Sequence, residues 1–416
     1  MVLAVTVGVA VAHSTSVTPL PAAACSAVQN PSGDLLIASD LPLDGPGRSE
    51  AVRMAKAIAF VLGQAGWKAG KFTLAYQSCD DSTAQTGQWD SGTCSTNANA
   101  YAADLSLVGV IGTLNSGCAE IEMPIANRAP NGPLAMVSPA NTYVGLTHAG
   151  PGTAPGEPGV YYPTGRRSYA RVVAANDVQG AADATLAYEL HVTRLFVLND
   201  KQAYGAGVAT STANAARKLG ITVVKNETWD PRKTSYAPLA LQIKASDAQA
   251  VFLGGLISDN GGTLIKDIRN GAPQVTILAP DGFTPISADL QQSSDTANGM
   301  YVSVAGLPIS KLPATGQAFV KTFSNAIGAA TIAPSSVDAA QAADVMLKAI
   351  SNSDGTRAGI AAELFKVTIR HGILGPISFD ANGDLSTAPV TIYKLINGQA
   401  TPYRVIVPKS SLVRTS

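Results

Sequence analysis

At 416 residues the chain is long enough for two domains of the usual ~100–200 residues each. Lys+Arg and Asp+Glu both number 29 and no Lys/Arg-rich run occurs, so the electrostatic footprint of a nucleic-acid binder is missing. Apolar residues make up 46% of the chain and charged residues 14%, which is ample for buried cores.

Val2–Ala12 (VLAVTVGVAVA) is too short for a membrane span, which needs about 20 apolar residues. With the Ala-rich stretch before Cys25 it reads as a secretory signal over residues 1–24, although no Lys or Arg precedes it. Cys25 follows small residues, as a lipid-anchored cysteine of a bacterial lipoprotein does, although Ala22 stands where Leu is commonest. The alternative is an ordinary signal with an incidental cysteine. Residues 25–34 read as a polar tether. Cys25, Cys79, Cys94 and Cys118 contain no CxxC, and His13, His148, His191 and His371 are scattered, so no metal site is expected. In an exported chain disulfides are favoured. Cys79–Cys94 is the preferred pair because the polar segment between them needs tethering, with Cys79–Cys118 as the alternative.

Leu35–Ala38 is an apolar strand ending in a turn-rich loop. Ser49–Gly66 then has helical spacing at Val52, Ala55, Ile58, Ala59 and Leu62. Phe72–Tyr76 predicts a strand, Thr96–Leu105 a helix, Leu107–Ile111 a strand, Ala119–Asn127 a helix despite Pro124, and Leu134–Val137 a strand. Asn141–Ser168, rich in Gly and Pro, breaks the rhythm. Tyr161, Tyr162, Arg166, Arg167 and Tyr169 give it polar tips that reach a ligand or simply cover the surface. The alternation resumes with a helix at Val178–Leu190 and strands at Arg194–Leu198, Thr222–Lys225, Ala248–Leu253, Gln274–Leu278 and Gly299–Val304, separated by helices at Ala206–Leu219, Ala237–Ala245 and Gly261–Asn270. Three helices follow, at Ala314–Ile327, Val337–Asn352 and Arg357–Lys366. Asn382-Gly383 and Asn397-Gly398 then mark hairpins in an antiparallel ending. Strands alternating with helices predict an α/β fold of two doubly wound lobes.

No GxSxG, GxGxxG, Walker loop or HExxH is present, so no enzyme class is indicated, and Asp80-Asp81 reads as a turn or cap. The binding signals lie beyond strand ends, where open α/β sheets hold ligands. Asn115, Ser116 and Gly117 follow one strand; Ser138, Ala140 and Thr142 follow the next. Hydroxyls and backbone N–H groups at a helix start suit a carboxylate, while helix capping would use the same residues. Asp281 follows a strand of the second lobe, where its carboxylate could pair with an ammonium or serve an ordinary turn. Tyr204 could cover the ligand or pack.

The segments VGVIGTLNSGCAEIEMPIAN, NGPLAMVSPANT, YARVVAANDVQGAA, RLFVLNDKQAYGAGVA, AQAVFLGG and GPISFDANGDL, in this order and spacing, resemble the type I periplasmic binding proteins of branched-chain amino acid ABC importers. The resemblance covers nearly all of 35–406. It implies two lobes joined by a three-crossing hinge, near Tyr169–Val173, Tyr301–Val304 and Pro376–Phe379. Lobe 1 then comprises 35–170 and 304–374, and lobe 2 comprises 171–303 and 375–410. It further implies an exported protein, periplasmic or at the cell surface, with no cofactor, that carries an amino-acid-like zwitterion to a membrane permease. Ser116 or Gly117, Ala140 and Thr142 match the residues that hold the ligand carboxylate, Asp281 the acidic residue for the ammonium, and Tyr204 a pocket aromatic. Gly117 stands where the family has a pocket Ser, Asp281 is one methylene shorter than the usual Glu, and Leu256 lies where an aromatic is common. The excursion at 141–168 is also long. These departures weaken the case for leucine-type specificity. Binding of amides, urea or other small polar solutes is the alternative, and an exported enzyme using the cleft is the more distant one.

Overall fold

Short apolar runs bounded by turn residues become strands, and the amphipathic segments between them become helices. The computed structural model describes residues 17–413 except 46, 85–87, 285–290 and 387. The first half runs β1 (Leu35–Leu41), α1 (Arg48–Gln64), β2 (Lys68–Ala69), β3 (Phe72–Asp80), α2 (Ser91–Ala103), β4 (Leu107–Gly112), α3 (Ser116–Asn127), β5 (Ala135–Ser138) and β6 (Tyr169–Arg171). These strands form one sheet in the order β2-β3-β1-β4-β5-β6, parallel except for β2. Every residue of β4 and β5 is buried, as expected of parallel strands covered on both faces.

The second unit runs α4 (Asn176–Glu189), β7 (Arg194–Asn199), α5 (Ala203–Lys218), β8 (Thr222–Thr228), α6 (Ala237–Ala245), β9 (Ala250–Gly254), α7 (Gly261–Gly271), β10 (Thr276–Ala279) and β11 (Tyr301–Ala305). The chain then returns to the first unit as α8 (Ala314–Ile327), α9 (Pro334–Asn352), α10 (Arg357–Leu364), β12 (Thr368–Ile369) and β13 (Ile377–Ser378). It ends in β14 (Val390–Ile396), β15 (Gln399–Ile406) and α11 (Ser410–Val413). The second sheet has the order β15-β14-β11-β10-β9-β7-β8, with β14 and β15 added antiparallel at one edge. Asn397-Gly398 makes the β14–β15 turn, where Ile396 pairs with Gln399. At Asn382-Gly383 only a single antiparallel bridge forms, between Phe379 and Leu385.

Each sheet is sandwiched between two apolar cores. The chain changes lobe between Val172 and Val173, between Ala305 and Leu307, and between Leu385 and Ala388. The last change lies about ten residues beyond the expected 374/375 boundary. β12 pairs with β13, and Ile377, Phe379 and Leu385 pack into the first lobe's core, which holds that stretch on lobe 1.

The cysteines pair differently from either expectation: Cys25 with Cys79, and Cys94 with Cys118. With its sulfur bonded to Cys79, Cys25 has no thiol left for a lipid, which overturns the anchor reading. Residues 25–34 are not a free tether either. Gln29 bridges Tyr76, the Asn30 side chain donates to the Leu74 carbonyl at 2.7 Å, and the Thr73 hydroxyl donates to Asp34 at 2.6 Å. Of the expected signal, residues 1–16 lie outside the described residues, while Val17 and Leu20 are buried in lobe 1. Helix α2 starts five residues earlier than predicted, because the Asp90 side chain caps it by accepting from the Thr93 N–H at 2.9 Å. Among the described residues no helix is long and apolar enough to cross a membrane.

Candidate functional site

The loops after β4 and β5 form one wall. Ser138 is fully buried and spent on the loop itself: its hydroxyl donates to the Thr113 carbonyl at 2.9 Å and accepts from the N–H groups of Ala140 and Asn141. Asn141 ties the two loops together, donating to the Leu114 carbonyl at 3.0 Å and accepting from the Tyr169 hydroxyl at 3.1 Å. The result is a rigid frame rather than two independent turns. Asn115 precedes α3 at the N-cap position, without a side-chain cap bond. Ser116 opens the helix, and its hydroxyl accepts from the Tyr143 N–H at 3.3 Å. The first amides of α3 lie outside intrahelical bonding, as at any helix start. Gly117 backs onto the Trp89 ring, so closely that a Cβ there would collide with it. Thr142 is 1% exposed and its hydroxyl has no partner. A buried polar atom left without a partner is costly and points to a missing one.

The opposite wall comes from lobe 2. Asp281 follows β10, and its Oδ1 accepts from the Tyr204 hydroxyl at 2.5 Å, while that hydroxyl accepts from the Gly282 N–H at 2.7 Å. Burial raises the Asp281 carboxyl above the usual carboxylate range, partly offset by Tyr204 and Gln179. Burial and the Asp281 charge raise the Tyr204 phenol, which keeps it a donor. Asn176, at the start of α4, donates to the Tyr204 carbonyl at 3.2 Å, and its N–H donates to the Thr142 carbonyl at 2.7 Å. Tyr204 and Asp281 thus act as one hydrogen-bonded unit, held near Thr142 through Asn176.

Residues that gave no distinct signal in sequence close the gap between the walls. Gln88 donates across it to the Ser258 hydroxyl at 2.7 Å and to Asp259 at 2.8 Å, and the Trp89 indole donates to Gln202 at 3.3 Å. Gln202 in turn donates to Asp259 at 2.6 Å. Gln88 and Trp89 belong to the polar segment between Cys79 and Cys94, whose composition alone suggests only a loop. Of the tips of the 141–168 excursion, Arg166 is exposed, while the tyrosines turn inward. Tyr161 and Tyr162 are buried, the Tyr143 hydroxyl donates to Glu157 at 2.7 Å, and the Arg167 guanidinium lies 4.4 Å from the Tyr162 ring centre.

The hinge carries its own charges. Arg171 is fully buried at the end of β6, next to the first crossing. It donates to Asp384 at 2.6 Å, to the carbonyls of Asn141 and Tyr143 at 3.2 and 2.7 Å, and to the Thr147 hydroxyl. His148 bridges Asp384 at 2.9 Å and Asp177 of α4 at 3.2 Å. Burial opposes the charged imidazole, but bonds to Asp177 and Asp384 overcome it and push its pKa up to about 9. Burial likewise opposes ionisation of Asp384, yet Arg171 and His148 hold it well below the ordinary range.

Comparison with known proteins fits this geometry. The sequence model described as periplasmic binding protein matches residues 87–400. The Leu/Ile/Val-binding protein homolog 3 of Brucella melitensis is 23% identical over 291 residues, 70% of this chain and 73% of that protein. The Leu/Ile/Val-binding protein BraC3 of Rhizobium johnstonii is 25% identical, covering 68% and 72%. Among solved structures, a leucine-binding protein from Thermotoga maritima superposes with a TM-score of 0.76 at 22% identity, covering 90% of this chain and 99% of that one. A solute-binding protein from R. palustris in complex with benzoate gives 0.74 at 16%, covering 90% and 97%. At such identities these likenesses establish the fold: two mostly parallel sheets, each layered with helices. The match over three quarters of the chain settles the family, and the chain is a member of the periplasmic binding proteins.

Proposed function

We propose that the protein captures an amino acid or a similar small zwitterion between its lobes and delivers it to the permease of an ABC importer, doing no chemistry on it. One observation carries this reading. The loops around Ser116, Gly117, Ala140 and Thr142, with an unpaired Thr142 hydroxyl, stand across from the Asp281–Tyr204 unit. The first group suits a carboxylate and the second an ammonium. Relatives named as Leu/Ile/Val-binding proteins support an amino acid; the benzoate complex of a structural neighbour is a reminder that this fold also accepts other small carboxylates. In this reading the protein works outside the cytoplasm. The lobes close over the ligand about the three crossings, and ligand favours the closed population.

The test is a thermal-shift panel of amino acids, amides, urea, sugars and aromatic acids. Ligand at about 100 times its Kd adds about 2.7 kcal/mol of stability, enough to raise the melting temperature clearly. A shift with amides or sugars but with no amino acid would remove the ligand class. For the ammonium role, Asp281→Ala should weaken zwitterions by about tenfold or more and analogues lacking the ammonium far less. Equal loss for both by calorimetry would take Asp281 out of that role.

A further inference from the structure

The Cys94–Cys118 bond sits beside carboxyls that nothing satisfies. Asp81 directly follows β3, Cys94 lies in the first turn of α2, and Cys118 and Glu122 lie one turn apart on α3. All four side chains are buried. A carboxylate oxygen of Asp81 and the two sulfurs lie within 4.8 Å of one another. The Glu122 Oε1 is 3.6 Å from the Cys118 sulfur. Three separate stretches of chain supply these atoms, so no spacing motif marks them in sequence.

A second observation concerns what these groups lack. Both carboxylate oxygens of Asp81 and the Oε2 of Glu122 have no hydrogen-bond partner among the described residues. A disulfide sulfur carries no proton, so the contact with Cys118 does not satisfy the other Glu122 oxygen either. Buried carboxyls without donors are costly, and buried carboxylates are ordinarily paired or hold a metal. Two thiolates and two carboxylates are a ligand set for zinc, which takes Cys sulfur at about 2.3 Å and carboxylate oxygen at about 2.0–2.2 Å in tetrahedral geometry. The sulfur–oxygen edge of such a tetrahedron is about 3.5 Å, close to the 3.6 Å between Cys118 and Glu122. The oxidised pair cannot serve, because the thiolate is the metal-binding form.

We propose that reduced Cys94 and Cys118, with Asp81 and Glu122, form a zinc site that the disulfide closes. The switch is thiol–disulfide exchange with a dithiol. The Cys94–Cys118 bond breaks, the two sulfurs of the reductant join as its own disulfide, and its two protons pass to the cysteines. Zinc then displaces those thiol protons to solvent. Calorimetry on the full chain tests this with Zn²⁺ alone as the probe. The protein is reduced with a dithiol, freed of it by gel filtration without oxygen, and titrated beside the oxidised form. The reduced form should bind one zinc that the oxidised form does not, and Co²⁺ in its place should give thiolate charge-transfer absorption. Asp81→Asn and Glu122→Gln should each weaken zinc by about tenfold or more. Melting of the oxidised, metal-free variants shows whether each is folded; if Asp81→Asn is not, Glu122→Gln decides. If reduction itself unfolds the chain, zinc should restore the native circular dichroism, as it does where the fold builds the site. A reduced chain that neither binds zinc nor is restored by it would overturn the proposal. So would zinc bound equally by the oxidised form, kept by the reduced Cys94→Ser/Cys118→Ser variant, or unaffected by both carboxyl substitutions.

Discussion

Arg171 shows what a single residue does in this fold. Its planar fork meets a carboxylate, two carbonyls and a hydroxyl at once, so the loops before the hinge and the chain after β13 are pinned to one point. Removing one member of a buried pair strands the other, which costs about 3–5 kcal/mol. Arg171→Met should lower unfolding stability in urea by that amount, and a loss under 1 kcal/mol would deny Arg171 this role. His148 titrates in the same network. Its folded pKa is raised above the unfolded value, so its contribution is complete below about pH 6.5 and is lost as pH rises through about 9. The melting temperature should therefore fall more between pH 7 and pH 10 in the native protein than in His148→Gln; parallel slopes would assign that loss to other groups. None of this is legible in sequence, because Asp384 lies 213 positions from Arg171. Asp281 and Tyr204, by contrast, could be singled out because each follows a strand end. Their hydrogen bond to each other could not.

At the scale of elements, the strands were readable because buried parallel strands are unbroken apolar runs, as in LVGVIG of β4. Helix α2 was harder. Its first turn, Ser-Gly-Thr-Cys, has no apolar period, and its start depends on the Asp90 cap. The cysteine pairing was opaque for a different reason. Spacing favours short loops, whereas the bonds join whatever elements the sheet order brings together. Cys94–Cys118 fastens α2 to α3, and so the Gln88–Trp89 crossing to the loop after β4. The Cys94→Ser/Cys118→Ser double variant, which opens a loop of sequence separation 24, should lose about 3 kcal/mol on the chain-entropy estimate. Denaturant titration measures it, and an unchanged midpoint would mean that the native packing already holds these helices in place. Trp89→Ala should speed ligand release in stopped-flow experiments, since it removes a contact that exists only when the lobes meet.

For the whole molecule, the two-lobed plan was legible as two rounds of strand–helix alternation with an antiparallel ending. The third crossing falls beyond Leu385. That one is displaced because Ile377, Phe379 and Leu385 choose lobe 1 by packing rather than by any local sequence cue. Small-angle scattering should register closure as a smaller radius of gyration on adding a ligand that raises the melting temperature. No change in radius would mean that the free protein already populates the closed form. The stitching of residues 25–34 onto β3 has a mechanical meaning. Cys25–Cys79, the Gln29–Tyr76 bridge and the Asp34–Thr73 bond all lie within lobe 1, on β3, which β1, β4 and β5 separate from Arg171 on β6. A pull on the chain ahead of residue 25 is therefore borne by one sheet and does not load the hinge. Lobe 1 can be held fast while lobe 2 swings at no added cost, so the force needed to restrain the protein is decoupled from the energy that opens and closes it.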